Sequence, residues 1–381
     1  MDYVTKDKTF IAHTYNRMPV VFHKGKGSVW YGEDGKEYID LGSGIAVNAF
    51  GAADEVWAQA VSNQTRLLSH TSNLFYTSPQ VRLAQALTKK TGMKKVFFCN
   101  SGAEANECAI KVARKFGGVR YKIASLNGSF HGRTLATLAM TGQDVFHTQF
   151  LPLPEGFINI PINNVKALEE TLSDNMICAL MIEVIQGEGG IIPVDHSFLT
   201  RAQELCRLKK ILLMVDEIQT GIGRTGAFFA YMHHGLSPDV VTTAKGLGGG
   251  LPIGACLMSE HVQDVLCTSD HGSTFGGNPI CCAGALSVIN RMNHKLYAQI
   301  KEKSDYIISE LTEVPGVVQV TGLGLMLGVE TNQSVQTVQK RCLEKGVLVL
   351  TAKNKIRLLP PLNIPWRLLR RGIQVLKESL N

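Results

Sequence analysis

No stretch of the 381 residues holds about 18 consecutive apolar side chains, so no segment is expected to cross a bilayer as a helix. The opening residues, MDYVTKDKTF, include acids and lack an apolar core. That argues against a secretory leader and for a cytoplasmic protein. No run of five like charges occurs, and charged residues make up only 19%. With 39 basic against 32 acidic residues, the formal charge of +7 is spread thinly. Nucleic-acid binding would need a basic stripe or a known module, so a mild preference for small anions is the better expectation. The nine cysteines include no C-x-x-C pair, and H-E-x-x-H is missing. Neither a disulfide framework nor a metal site is expected, and the thiols read as reduced and mostly buried. Internal repeats and low-complexity tracts are also lacking. What is there is a chain 45% hydrophobic, with ample material for a large core.

Short apolar runs at 96–99, 122–126, 177–184, 211–215 and 240–244 alternate with helical spacing between residues 54 and about 290. Such alternation predicts βαβ units and a mostly parallel sheet covered on both faces. The first fifty residues read as β-rich, with strands at 20–23 and 28–31 and a turn at 33–35 leading into 37–41. Ala105, Cys108, Ala109, Val112, Ala113 and Phe116 form the apolar stripe of one helix, and Asn278-Pro279 opens another. A helix through Leu296, Ile300, Ile307 and Leu311 and then strands near 317–321 and 325–330 follow. The expected fold class is α/β. Residues 51–290 would form the large domain, and 1–50 with 291–381 a smaller α+β domain.

The strand 211–215 ends in Asp216, which puts a carboxylate at the sheet edge where α/β folds bind ligands, although a helix-capping acid reads the same way. GIGRTG at 221–226 matches G-x-G-x-x-G, which invites a dinucleotide. Four residues separate it from its strand, and Lys245 stands where a ribose-binding acid should end the next strand, so the match is weak. Lys245 closes the run 240–244 and precedes GLGGG. An ammonium without a partner is costly to bury, and burial produces the neutral amine that a Schiff base needs. Ser101 and Glu104 form a capping box, and the same helix N-terminus can seat a phosphate. Phe130 can stack on a ring and Arg133 can grip a carboxylate with its planar fork. A Schiff-base lysine, a strand-end acid, a phosphate seat and an aromatic plate are together what pyridoxal phosphate requires.

The sequence resembles the class III (fold type I) aminotransferases over essentially its whole length. The motifs are TYNRMPV (14–20), DLGSGIAVN (40–48), HTSNLFYT (70–77), NSGAEANE (100–107), FHGRT (130–134), IEVIQGEGG (182–190), DEIQTG (216–221), AKG (244–246) and STFGGNP (273–279). HTSNLFYT and the short length lean toward the acetylornithine branch. The resemblance implies pyridoxal phosphate on Lys245, with Asp216 at the ring nitrogen, Gln219 at the ring hydroxyl and Phe130 on the ring face. It implies phosphate contacts from Ser101, Gly102 and Ala103, with Thr274 reaching in from a second subunit of a homodimer. Substrate contacts would come from Arg133, Ser273 and Tyr15, and from Glu188 paired with Arg357 as a switch between differently charged substrates. The implied reaction moves the δ-amino group of N-acetylornithine to 2-oxoglutarate, giving N-acetylglutamate semialdehyde and glutamate in arginine biosynthesis. Ornithine, succinylornithine, succinyldiaminopimelate and 4-aminobutyrate are the rival substrates. An NAD-dependent oxidoreductase built on 221–226 and a catalytically silent relative are rivals of another kind. Two departures from the family pattern stand out, GAADE at 51–55 and Ala103 where relatives carry threonine.

Overall fold

The computed structural model describes residues 2–380. Strands β1 (Phe22–Lys26), β2 (Val29–Gly32) and β3 (Glu37–Asp40) form an antiparallel meander near the start of the chain. The main sheet comprises β4 (Lys95–Cys99), β5 (Lys122–Leu126), β6 (Phe157–Ile160) and β7 (Ile177–Ile182), joined by three strands that come later in the chain. A two-stranded hairpin, β8 (Ile185–Gln186) with β9 (Ile192–Pro193), leaves its rim. Then come β10 (Leu212–Asp216), β11 (Val240–Thr243) and β12 (Gly254–Met258). The order across the seven strands is β4-β12-β11-β10-β7-β5-β6.

Only β12 runs against the others, antiparallel to both β11 and β4. The reason lies in its connection. Residues 244–253 join β11 to β12 without a covering helix, and a parallel return needs a crossover of about a dozen residues or more. β7, β10, β11 and β12 are buried along their whole length, as a sheet covered on both faces requires. Neither β6 nor β12 is among the strands expected from sequence, though Ile253 to Met258 is an apolar run behind a glycine turn.

The helix Gly102–Gly117 follows β4, with Ser101 accepting the Glu104 amide as its cap and Gly118 ending it at φ +62°. Such a cap contributes about 1 kcal/mol. The helix buries Ala105, Cys108, Ala109, Val112 and Ala113 of the predicted stripe together with Asn106 and Ile110, whereas Phe116 is only partly buried. Pro279–Ile289 begins at Asn278 as its composition predicts, the side chain accepting the Ile280 and Cys281 amides.

The C-terminal strands β13 (Val317–Leu323), β14 (Met326–Thr331), β15 (Val347–Leu348), β16 (Leu350–Ala352) and β17 (Lys355–Leu358) divide between two sheets. β13, β14, β17 and β16 make one, whereas β15 pairs in parallel with β3 in the N-terminal sheet. The two ends of the chain therefore share a sheet.

The loop 221–226 works as a joint between the main sheet and this C-terminal part. Arg224 is buried, donates to the Leu325 carbonyl at 3.1 Å and bonds the Pro360 carbonyl, and its own carbonyl accepts the Leu325 amide at 2.9 Å. A Cβ on Gly223 would lie 2.8 Å from Met292 Sδ, and φ there is +82°. A Cβ on Gly221 would lie 2.6 Å from the Glu217 carbonyl oxygen, and Gly226 has φ +90°, so packing at two positions and backbone conformation at the third account for the G-x-G-x-x-G spacing without a dinucleotide.

Candidate functional site

Because every strand of the main sheet except β12 points the same way, five loops leave at one edge. They carry Asn100 to Ala103, Phe130 to Arg133, Glu183, Asp216 to Gln219, and Ala244-Lys245. With Glu188 and residues 250–253 these loops enclose a cavity of about 500 Å³. That size suits a cofactor or small substrate.

Asp216 is held from three sides. Asn106 Nδ2 and His131 Nδ1 each lie 2.8 Å from Oδ2, and the Ile218 amide donates to Oδ1 at 3.0 Å. Asn106 is oriented in turn by Thr242, whose hydroxyl donates to its Oδ1 at 2.7 Å, and it donates to the His131 carbonyl at 2.7 Å. A carboxylate only accepts, so His131 carries its proton on Nδ1, which leaves Nε2 buried with no partner.

Lys245 sits at φ +42°, a left-handed conformation that costs a non-glycine residue energy. Among the described residues no acceptor lies within hydrogen-bond distance of its Nζ. Burial lowers its pKa from the ordinary 10.5; Glu188 and Asp216 oppose that shift and Arg357 reinforces it. Burial thus weakens the hold of this amine, which faces the cavity, on its proton.

The amides of Gly102 and Ala103 open a 16-residue helix and have no acceptor among the described residues. Glu104 closes the capping box, accepting the Asn100 amide at 2.7 Å, so the free donors are those aimed at the cavity. Phe130 and Arg133 lie on the β5 loop, and Arg133 has no carboxylate within ion-pair distance among the described residues. Arg357 is 4% exposed and meets Glu188 at 2.5 Å, with the Gln219 amide oxygen at 3.2 Å from the same nitrogen. A Cβ at Gly187 would fall 2.4 Å from Gln219 Nε2, so glycine there lets the glutamine approach.

Three expected contributors stand outside. Ser273 Oγ accepts from Asn100 Nδ2 at 3.0 Å and from the Gly276 amide, tying its loop to the cavity's edge without lining the cavity. Thr274 is exposed. Tyr15 is 75% exposed on an unpaired segment, its ring beside Arg17 rather than at the cavity, so within one chain it does not meet the substrate contact expected of it.

His131, Asn106 and Glu183 were not singled out from sequence. Glu183 directly follows β7, much as Asp216 ends β10, and accepts the Phe130 and Gly187 amides at 2.9 and 3.1 Å. Burial pushes its carboxyl above the usual range. The signal was an acid closing an apolar run, hidden because that run was read through to residue 184. Asn106 offered none, since it lies inside an apolar stripe. Among the described residues no group of His, Cys, Asp and Glu could hold a metal ion.

The sequence matches the family model described as Aminotransferase class-III over residues 10–380. The acetylornithine aminotransferase of Haemophilus ducreyi is 48% identical, with 98% of this chain and 97% of that protein aligned. The ornithine aminotransferase of Toxoplasma gondii, in a structure with partial occupancy of PLP at its active site, superposes at TM-score 0.94 with 32% identity. It covers 99% of this chain and 93% of that one. The N-acetylornithine aminotransferase of Stenotrophomonas maltophilia superposes at TM-score 0.86 with 33% identity, covering 99% and 98%. The family model and the 48% identical relative both span nearly the whole chain. This chain belongs to the class III aminotransferase family.

Proposed function

We propose that the protein is a pyridoxal-phosphate-dependent acetylornithine transaminase, moving the δ-amino group of N-acetylornithine to 2-oxoglutarate in arginine biosynthesis. One observation carries the reading. A carboxylate fixed by three donors, a lysine without an acceptor and the open N-terminus of a long helix face one cavity. These features fit pyridoxal phosphate: a cationic nitrogen, an aldehyde and a phosphate each find a complementary group.

When bound, pyridoxal phosphate supplies an electron sink for the carbon that bears the migrating amine. Lys245 Nζ would hold its aldehyde carbon and, when free, move a proton from the substrate carbon. Asp216 would keep a proton on the ring nitrogen, with His131 and Asn106 fixing its carboxylate. Gln219 would reach the ring hydroxyl and Phe130 would cover the ring face. The amides of Gly102 and Ala103, with the Ser101 hydroxyl, would bind the phosphate. The unpaired Arg133 guanidinium would take the substrate carboxylate. Glu188 would neutralise Arg357 while the amine donor is bound and release it for the second carboxylate of glutamate or 2-oxoglutarate.

A homodimer belongs to the same reading. Leu74, Phe75 and Tyr76 are 86%, 66% and 99% exposed, and Asn73 ties their loop to the carbonyls of Ser273 and Gly276. Phe275, 60% exposed, packs against His70 beside them. So large an apolar patch is typical of an interface. A second subunit docked there would bring Ser273, Thr274 and Tyr15 to its partner's cavity. Residues 1–50 and 291–381 would form the small domain over the large one, consistent with the pairing of β3 and β15. The nine unpaired cysteines favour the cytoplasm.

Ornithine is the second reading, because the Toxoplasma gondii ornithine aminotransferase superposes more closely than the acetylornithine enzyme of Stenotrophomonas maltophilia. Steady-state rates with N-acetylornithine, ornithine, succinylornithine, succinyldiaminopimelate and 4-aminobutyrate decide between them. The highest kcat/KM is expected for N-acetylornithine, and a clear preference for free ornithine overturns that choice. Failure of the apoprotein to gain a visible absorption band with pyridoxal phosphate overturns the cofactor as well.

A further inference from the structure

Arg133 presents a problem of position. Its guanidinium is exposed and makes no ion pair or side-chain hydrogen bond among the described residues, yet the proposed function asks it to meet a carboxylate in a fixed place. A long, flexible cation of that kind samples many rotamers unless something holds it.

What meets it is aromatic. Arg133 Cζ lies 4.0 Å from the centre of the Phe146 ring and 5.5 Å from that of Phe130. The two rings meet edge to face, with centroids 5.9 Å apart at 78°. Phe146 ends a short turn, Asp144–Phe146, lashed to the loop that carries Phe130. Gln143, buried, donates through Nε2 to the Gly128 and Ser129 carbonyls at 3.3 and 3.1 Å. The Gly142 amide donates to Ser129 Oγ at 3.0 Å, and the Phe146 amide closes the turn onto the Gln143 carbonyl at 3.1 Å. The ring is therefore mounted on a braced strap.

We propose that Phe146 is a positioning residue for Arg133, its ring face holding the guanidinium so that the N–H edge stays free for the substrate's carboxylate. Stacking engages the face of the guanidinium, whereas a carboxylate takes two N–H groups along its edge, so the two contacts are compatible. An ion pair in the same place would use the donors that the substrate needs. The ring thereby orients the arginine without competing with the ligand. This inference rests on the reading of Arg133 as the carboxylate-binding residue.

Steady-state kinetics of the holoenzymes test it, with Phe146→Leu keeping apolar bulk, Phe146→Tyr keeping the ring, and Arg133→Ala alone and combined with Phe146→Leu. Phe146→Leu is expected to raise KM for both substrates about tenfold with kcat and the cofactor's visible band little changed. Phe146→Tyr should recover most of that affinity, which a purely space-filling role would not require. In the Arg133→Ala background the leucine substitution should add less than about twofold, because contacting residues couple. If Arg133→Ala raises KM while Phe146→Leu does not, or if the two effects multiply, the positioning role is refuted and Arg133's own role stands. If Arg133→Ala leaves KM unchanged, the carboxylate reading fails and takes this inference with it.

Discussion

Two regions of the molecule are held differently: the wall of the cavity along the strand ends, and a surface outside it. Along the strand ends, Asp216, His131, Asn106 and Thr242 hold one another in a buried chain of hydrogen bonds complete within a single copy of the protein. Outside the cavity, Thr274 is exposed, Tyr15 is exposed beside Arg17, and Leu74, Phe75 and Tyr76 are 86%, 66% and 99% exposed. Backbone direction explains the first region. Parallel strands deliver their last residues to one edge, so local sequence suffices to bring the chemistry together. The second region is a surface loop and an unpaired segment, which no strand of the main sheet positions.

Breaking the first region at its centre should have the largest effect. Lys245→Ala is expected to lower turnover more than about a thousandfold, because a nucleophile is not replaced by its neighbours. Its melting temperature should stay near wild type, since the substitution removes an amine with no acceptor to lose; differential scanning calorimetry beside activity checks both. Near-normal turnover would remove Lys245 from the chemistry.

Asp216→Asn keeps the shape but replaces a carboxylate oxygen by an amide in front of the donors Asn106 and His131. A loss of about a hundredfold in kcat is expected, in line with removal of one preorganised electrostatic contact. A kcat within a factor of two of wild type would separate Asp216 from catalysis.

The second region can be tested by charge. Leu74→Asp with Tyr76→Asp should weaken self-association by about a hundredfold or more, read by sedimentation, with activity falling in parallel. A fully active monomer would show that one chain completes its own site.

The smallest expected effect separates Asp216 from its neighbour Glu217, which faces away from the cavity. Glu217 is wholly buried, accepting the Ala230 and Tyr231 amides at 3.0 and 2.8 Å and the Thr220 hydroxyl at 2.6 Å. Burial pushes its carboxyl up to about 7 from the ordinary 4.5. A raised pKa means the folded chain holds a proton that the unfolded chain has lost. The resulting stabilisation is full below about 4.5 and disappears as pH rises through about 7. Glu217→Gln should therefore cost more stability at pH 5 than at pH 8, measured as the shift in urea midpoint. An equal cost at both would mean that Glu217 does not titrate in that window.

How far these features could be read in advance follows from the same contrast. Asp216 and Lys245 each end an apolar run, and position at a strand end is written in local composition. Ser101 and Glu104 were legible as a cap, which the bond between Ser101 Oγ and the Glu104 amide bears out. Glu183 was missed by two residues of strand length, and β12 because a chain that turns back without a helix departs from the alternation that predicts parallel strands. Asn106 was invisible, since only its neighbours across the sheet make a polar residue useful inside an apolar stripe. The contact of Phe146 with Arg133 spans a loop whose path no periodicity records.

Alternating apolar runs, the residues that close them and the cap before the long helix determined, without coordinates, that a parallel sheet would gather a lysine, an acid and a phosphate seat on one rim. Periodicity and capping act over a few residues, so the order of side chains suffices to specify them. Which donors hold Asp216, which glutamate faces Arg357 and which ring supports Arg133 were decided only when distant segments packed. Those pairings depend on angles and distances between elements far apart in the chain, and no local pattern encodes them.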